Sequence, residues 1–238
     1  MKSLVLLSGG LDSAVLVAHL ARQGPVTPVY VSVGLAWEPA ERAMLAALLA
    51  RPPFDTAVGP LESVRFDMRD VYAPSHWAVT GHPPAYDTPD EDVYLAGRNL
   101  VLLTKAGVLA ATRRLPRIAL GPLAGNPFPD ARPEFFAAMA SALTLGLDHP
   151  VDVITPFAGM QKEDVIRLGA QLGVPMALTL SCMNPVYSGS SGSTGSSGST
   201  GSSLPVHCGL CSKCRERRDA FAAAGMDDPT PYGNPSPR

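Results

Sequence analysis

The first segment that could do chemistry is the hexapeptide SGGLDS at residues 8–13. It follows an apolar run and precedes residues with helical spacing, so its glycines and serines lie where a helix begins. Unpaired N–H groups at a helix start bind anions, and glycine lets the backbone approach phosphate oxygens. Asp12 could cap this helix or help to hold Mg²⁺. We predict a phosphate-binding loop, with a capped helix after a tight turn as the alternative.

Two common nucleotide-binding patterns are absent from this segment. It has neither the lysine of GxxxxGK[ST] nor the glycine spacing of GxGxxG. Those patterns belong to P-loop enzymes and to dinucleotide-binding folds. The segment therefore favours a loop that grips pyrophosphate over a kinase-type or dinucleotide-binding loop.

Four cysteines form a second candidate site: Cys182, Cys208, Cys211 and Cys214. We expect no export signal, so the clustering of the cysteines indicates a metal before a disulfide. Four thiolates match a closed, structural zinc site, while an iron–sulfur cluster and unligated thiols remain as alternatives. If all four bind a metal, none is left as a nucleophile or sulfur carrier. A nitrogen nucleophile would then come from outside the chain.

Three more polar residues lie where a loop gives way to a predicted helix. Arg98, between Gly97 and Asn99, either presents its charge to a substrate or is solvated or ion-paired. Asp130 follows a proline-rich loop, and it either accepts hydrogen bonds from a purine-like ligand or caps the next helix. Lys162 is a cation at a helix start, where it opposes the helix dipole, so a phosphate partner is favoured over solvent.

The elements that must position these residues alternate along the chain. We predict strands at residues 3–7, 27–33, 63–66, 117–121 and 151–154, and helices at 13–23, 38–49, 93–113, 133–143, 162–172 and 212–224. Strands separated by helices indicate the α/β class, with a doubly wound parallel sheet covered by helices on both faces. Residues 70–92 read as a long loop, which we expect to cover the site.

Composition narrows the classes of protein. The 238 residues are 46% hydrophobic and 17% charged, with a formal net charge of −2, which is ordinary for a globular protein. No apolar run reaches the roughly 20 residues that a membrane span needs, and the start does not resemble a secretory signal. We expect a cytoplasmic protein with no membrane partner. The lack of excess positive charge also argues against a nucleic-acid partner.

One segment, residues 188–203, contains only Ser, Gly and Thr. This composition predicts a flexible coil, and its regular repetition is typical of an artificial linker that replaces a native loop. It separates Cys182 from the other three cysteines, so the metal site must close across it. We divide the chain into a nucleotide-binding α/β domain at residues 1–178 and a Cys₄ zinc-binding extension at residues 179–238.

The chain resembles the 7-cyano-7-deazaguanine synthase family of the ATP pyrophosphatase superfamily. The matching segments are SGGLDS at residues 8–13, GRN at 97–99, PDARPEF at 129–135, TP with QK within 155–162, TLSC at 179–182, CGLCSKCRER at 208–217 and DPTPY at 228–232. The resemblance implies an ATP-dependent carbon–nitrogen ligase. Such an enzyme adenylates the carboxylate of 7-carboxy-7-deazaguanine and converts it with ammonia, through the amide, to the nitrile on the route to queuosine.

The same resemblance implies roles for individual residues. ATP with Mg²⁺ would be bound by Leu7, Ser8, Gly9, Gly10, Leu11, Asp12, Ser13, Ala14 and Val15. The catalytic residues would be Asp12, Arg98 and Lys162. The substrate, a 7-deazaguanine carboxylate, would contact Arg98, Asn99, Pro129, Asp130 and Arg132. Zinc on the four cysteines would be structural.

Two segments depart from the family pattern where the substrate should lie. Residues 33–38 read VGLAWE in place of a YGQ-like sequence, and Phe128 and Ala131 stand where the family has Tyr and Cys. The main competing hypothesis is therefore a relative that adenylates a deazaguanine-type acid but forms only an amide, with ammonia or another amine. A nucleotide-binding module without turnover is a third hypothesis, and an enzyme that inserts sulfur into tRNA is a fourth. A homodimer is left open.

Overall fold

A computed structural model describes residues 1–187 and 204–235. The segment 188–203, which the sequence predicts to be a flexible linker, lies outside the described residues. Five parallel strands form the central sheet: β1 Ser3–Leu6, β2 Val26–Ser32, β3 Glu62–Arg65, β4 Arg117–Ala119 and β5 Asp152–Ile154. Their order across the sheet is β3-β2-β1-β4-β5. The predicted doubly wound parallel sheet is confirmed.

The helices lie between and after these strands. The described residues form α1 Leu11–Ala21, α2 Glu38–Leu49, α3 Phe54–Ala57, α4 Trp77–Thr80, α5 Arg98–Thr112, α6 Pro133–Leu147, α7 Lys162–Gln171 and α8 Ser212–Ala224. Two further strands, β6 Val186–Tyr187 and β7 Pro205–Val206, pair antiparallel apart from the main sheet. None of these helices combines the length and apolar character that crossing a membrane requires.

Successive side chains along the strands point to alternate faces of the sheet, and this divides the core into two layers. In β1, Leu4 packs into one hydrophobic cluster and Val5 into the other, because successive side chains of a strand point to opposite faces. The first cluster includes side chains of α5 and α6, and the second includes those of α1, α7 and α8. Helices therefore cover both faces of the sheet, and α8 at the C-terminal end packs into the same core as α1.

The helix predicted at residues 93–113 begins later than its apolar spacing suggested, so that boundary was wrong. Residues Asp90–Val93 form a separate 3₁₀ turn, and α5 starts only at Arg98. The break lies at Gly97, whose φ of +74° is a left-handed conformation that favours glycine. This turn directs the first residues of α5 toward the carboxyl ends of β1 and β4, where ligands of doubly wound sheets bind.

Candidate active site and cysteine cluster

The loop between β1 and α1 is held in shape by its own polar groups. The Gly10 N–H donates to Ser8 Oγ at 3.3 Å, and Ser13 Oγ donates to the Gly10 carbonyl at 2.9 Å. Gly9 has a φ of +88°, and a Cβ there would lie 3.0 Å from Leu45 Cγ, so a side chain would be strained. No side chain caps α1 at Gly10, so the first N–H groups of the helix are available to an anion.

Asp12 and Lys162 meet beside this loop although they are 150 residues apart in sequence. Lys162 Nζ donates to Asp12 Oδ2 at 2.6 Å. The other carboxylate oxygen, Oδ1, is buried and has no protein partner among the described residues. Burial opposes the charged form of Lys162, but Asp12 and Glu216 raise its pKa above the ordinary value. The pair therefore offers a fixed cation and one unused anionic oxygen.

Two adjoining pockets open at this edge of the sheet. We call the first the aromatic pocket, because Trp37, Trp77, Tyr94 and Phe128 line it. The second, the strand-end pocket, lies at the carboxyl ends of the strands, against Leu6 of β1, Val31 of β2 and Leu120, which follows β4. Both pockets share Ser8, Gly10, Asp12, Glu41, Arg98, Asn99 and Asn126. The predicted phosphate-binding loop at residues 8–13, which we call the phosphate loop, therefore lies between the two pockets.

The aromatic side chains of the first pocket are stacked in pairs. The rings of Trp37 and Trp77 lie 5.7 Å apart and nearly parallel, at 9°. Tyr94 and Phe128 form a second stacked pair, with ring centroids 5.1 Å apart. Trp77 belongs to the predicted covering loop, and Trp37 belongs to the VGLAWE segment. Flat apolar walls of this kind suit a planar heterocycle.

Arg98, Asn99 and Asp130 meet at the start of α5. Arg98 lines both pockets, and its buried Nε has no partner among the described residues. Asp130 Oδ2 accepts from the Asn99 N–H at 3.0 Å, and Asn99 Nδ2 donates to the Asp130 carbonyl at 2.9 Å. Burial raises the pKa of Asp130, whereas the bond from Asn99 lowers it. Asp130 thus fastens the start of α5 and still lines the aromatic pocket.

Not every residue that the sequence singles out reaches a pocket. Pro129 and Arg132 are exposed and line neither one. Leu7 and Leu11 each line one pocket, whereas Ala14 and Val15 are fully buried in the core behind the loop. The residues brought together at the phosphate loop are Ser8, Gly10, Asp12, Ser13, Arg98, Asn99, Asp130 and Lys162.

Glu41 is a pocket residue that the sequence reasoning missed. Its two oxygens accept from Tyr30 Oη at 2.7 Å and from Trp37 Nε1 at 3.1 Å. Burial raises the pKa of Glu41 to about 7, although Arg98 opposes this shift. The one signal in the sequence was an acid on the same helical face as buried Met44 and Leu45. A carboxyl group with this pKa can gain or lose a proton near neutral pH.

The four cysteines converge as their spacing predicts. All are buried, and their sulfur atoms lie within 4.8 Å of one another. Three pairs lie 3.5–3.9 Å apart, close to the roughly 3.8 Å separation that a tetrahedron with Zn–S bonds of about 2.3 Å requires. Backbone N–H groups of Cys208, Gly209 and Leu210 donate to sulfurs of the cluster. These donors and this spacing fit a tetrahedral metal ion.

Side chains of α8 extend from this cluster to the phosphate loop. Arg217 is fully buried, and it donates to Thr230 Oγ1, Thr179 Oγ1 and the Met176 carbonyl. One residue earlier, Glu216 lies 3.1 Å from Lys162 Nζ. Burial tends to raise the pKa of Glu216, but Lys162 and Lys213 together lower it to about 2. No local pattern marks this contact in the sequence, because it joins distant segments.

Comparison with known proteins identifies relatives over nearly the full length. A family model described as "Queuosine biosynthesis protein QueC" matches residues 2–225. The 7-cyano-7-deazaguanine synthase of Methanopyrus kandleri is 33% identical and covers 97% of this chain and 98% of its own. The protein of that name from Methanothrix thermoacetophila is 32% identical, with 97% and 98% covered. The predicted synthase resemblance is therefore supported by independent comparisons.

Solved structures show a more distant likeness. A predicted subunit of a tRNA methyltransferase from Methanocaldococcus jannaschii has a TM-score of 0.46 and 17% identity, covering 71% of this chain and 74% of its own. A 4-thiouridine synthetase, solved with RNA and ATP, has a TM-score of 0.46 and 15% identity, with 73% and 41% covered. These values are too low to assign an activity. The family match and the full-length relatives are decisive, and the chain belongs to the QueC family of queuosine biosynthesis proteins.

Proposed function

We propose that this protein is an ATP-dependent ligase that converts 7-carboxy-7-deazaguanine and ammonia into 7-cyano-7-deazaguanine. The observation that supports this proposal most strongly is the Asp12–Lys162 pair, which lies beside an uncapped helix start and between two pockets. The names of the full-length relatives support the same substrate class. The substrate, the ammonia and the nitrile product are parts of this proposal.

ATP would place its phosphates at the start of α1. The N–H groups there, together with Ser8, Ser13 and Lys162, match the charge and the oxygen acceptors of a triphosphate. The unpartnered Oδ1 of Asp12 suits Mg²⁺, which prefers carboxylate oxygen. When bound, Mg²⁺ would neutralise phosphate charge and help pyrophosphate to leave. Of the predicted loop residues, Leu7, Gly9, Leu11, Ala14 and Val15 would serve by shaping the loop.

The aromatic pocket would hold the deazaguanine ring. Trp37 and Phe128 provide flat apolar walls, and Asp130 offers an acceptor for ring or amino N–H groups. Arg98 would bind the substrate carboxylate, because its side chain lines both pockets and its Nε lacks a partner among the described residues. Asn99 and Pro129 would keep Arg98 and Asp130 in place, whereas exposed Arg132 would act only if the substrate reached it.

The proposed reaction consists of two similar halves. A carboxylate oxygen attacks the α-phosphorus of ATP, pyrophosphate leaves, and ammonia then displaces AMP from the acyl carbon to give the amide. The amide oxygen attacks the α-phosphorus of a second ATP, pyrophosphate leaves, and the nitrogen loses one proton to give an adenylated imidate. Elimination of AMP with loss of the second nitrogen-bound proton leaves the nitrile. Lys162 and the N–H groups at the start of α1 would stabilise the negative charge that develops on the phosphate oxygens.

Glu41 would accept the proton that the attacking nitrogen loses. Glu41 lines both pockets, so a substrate group placed where the pockets join would lie close to its carboxyl group. The groups around it are Tyr30 on β2, Glu38 on its own helix and Arg98 on α5. Because its pKa is about 7, Glu41 is ionised and able to accept a proton above neutral pH.

We propose that the cysteine cluster binds zinc and ties residues 179–238 to the α/β domain at residues 1–178. The separation of the sulfur atoms and their complete burial support this assignment. A Cys₄ site leaves no open position, so zinc would stabilise the fold and take no part in the reaction. A cytoplasmic location is also part of the proposal.

Replacing Asp12 with alanine should abolish pyrophosphate release in the presence of ATP, the deazaguanine acid and ammonium. The change removes the partner of Lys162 and the oxygen that suits Mg²⁺, and we expect a loss of about 10³-fold or more. Pyrophosphate and product mass are measured together, so the wild type also reports nitrile or amide. Asp55→Ala on exposed α3 is the matched control. An active Asp12→Ala protein, or a wild type that stops at the amide, contradicts the proposal.

Replacing Glu41 with glutamine should remove a pH-dependent step. In the wild type, the rate of amide formation at a fixed concentration of free ammonia should rise as pH increases through about 7, because Glu41 becomes ionised. In Glu41→Gln the rate should be about 10²-fold lower and no longer rise there. Glu134→Gln, on the exposed side of α6, is the control. An unchanged pH profile in Glu41→Gln would remove Glu41 from the mechanism.

Replacing Cys211 with serine should lose the metal and destabilise the protein. We expect the free energy of unfolding to fall by more than about 4 kcal/mol, because binding of a structural metal contributes directly to folding. Elemental analysis and thermal unfolding measure the two effects. Leu210→Ala alters an exposed neighbour in the same turn and should keep both properties. Iron in the wild type, or a stable metal-free Cys211→Ser protein, would count against structural zinc.

A further inference from the structure

We propose that Glu216 is a positioning residue of the ATP site, which acts by holding Lys162 through an ion-pair chain along α8. This inference rests on the proposed function, in which Lys162 meets the phosphates. Glu216 lies on a different element from both members of the Asp12–Lys162 pair. It is close to the cysteine cluster in sequence and close to the phosphate loop in space.

The contacts of Glu216 fix both of its carboxylate oxygens. Oε1 lies 3.1 Å from Lys162 Nζ, and Oε2 lies 2.6 Å from Lys213 Nζ. Lys162 Nζ is meanwhile 2.6 Å from Asp12 Oδ2. The Lys162 side chain is only 17% exposed, so water screens these contacts less than it screens a surface pair. Lys162 is thus held from two sides.

The backbone that carries Glu216 is anchored by its neighbours. Cys214 belongs to the buried cluster, and Arg217 donates to residues of two other segments, the turn at Met176 and Thr179 and the segment that contains Thr230. Helix α8 also packs its apolar face, including Phe221, into the core shared with α1 and α7. A side chain that must place a flexible lysine needs such a rigid support.

The last contact in this series of ion pairs lies in the predicted covering loop at residues 70–92. Lys213 Nζ lies 3.4 Å from Asp90 Oδ1, and Arg215 Nη2 donates to the Thr88 carbonyl at 3.2 Å. Lys213 is therefore held between Glu216 and the loop above the aromatic pocket. The order of contacts is Asp12, Lys162, Glu216, Lys213 and Asp90, with charges alternating in sign.

Because the charges alternate along this series, Glu216 can contribute in two ways, through its own negative charge or by positioning Lys162. If Asp12 held Mg²⁺, its carboxylate would be shared between the metal and Lys162, and Glu216 would remain as the second anion that keeps the Lys162 ammonium in place. If Glu216 affected only charge, its removal would strengthen phosphate binding, because it takes an anion away from the site. If it positions Lys162, its removal slows the reaction while nucleotide affinity is kept.

The test compares Glu216→Gln with Asp219→Asn, which removes one carboxylate from an exposed position of the same helix. We expect Glu216→Gln to lower kcat for pyrophosphate release about tenfold or more. Its affinity for a non-hydrolysable ATP analogue with Mg²⁺, measured by calorimetry, should be unchanged. Its melting temperature and metal content should equal those of the wild type. Asp219→Asn should match the wild type throughout.

A second variant tests whether the ion pairs act as a connected series. Lys213→Gln should lower kcat in the wild-type background and have no further effect in Glu216→Gln, because Lys213 acts through Glu216. The inference is overturned by an unchanged kcat in Glu216→Gln, by weaker analogue binding with unchanged kcat, or by loss of metal or stability. In each case a nitrile-forming wild type leaves the proposed function intact. If the wild type releases no pyrophosphate, the proposed function fails, and the inference fails with it.

Discussion

The ion pair between Asp12 and Lys162 is the contact on which the candidate site depends. A parallel sheet brings the ends of β1 and β5 to one edge, so the helices that follow them start close together. The pair joins those two helix starts at 2.6 Å beside uncapped N–H groups. The two pockets open at the same edge and share this charged region, so the proposed nucleotide and acid would meet there.

The cysteine cluster gives this arrangement its second support. A bound metal would reinforce the packing of α8 against α7 and the core. The β6–β7 pair is only two residues long and adds little to this support. With the cluster closed, α8 is fixed against α7, and Glu216 and Lys213 reach the pocket. Structural zinc would therefore matter to the reaction indirectly, by fixing a helix whose side chains touch Lys162.

Local patterns predicted much of the fold and part of the site. Helix α8 has the predicted bounds, and the loop at residues 8–13 and the four cysteines were recognised because their spacing is local. The predicted start of α5 was wrong, because the apolar spacing of the sequence continues through Gly97, whereas the helical backbone conformation is interrupted there. Glu41 and Glu216 were missed for another reason. Glu41 lies near Arg98 and Glu216 lies near Lys162, and each of these contacts joins segments far apart in sequence. The acid on the buried face of α2 was the single local signal for Glu41.

The central claim is that a nucleotide places its phosphates against the start of α1, within reach of Lys162. A crystal structure with a non-hydrolysable ATP analogue and Mg²⁺ tests this most directly. The account predicts phosphate oxygens within hydrogen-bond distance of the Gly10 and Ser13 region and Lys162 Nζ, with the metal on Asp12. An analogue bound elsewhere, with the Asp12–Lys162 pair undisturbed, would contradict the account.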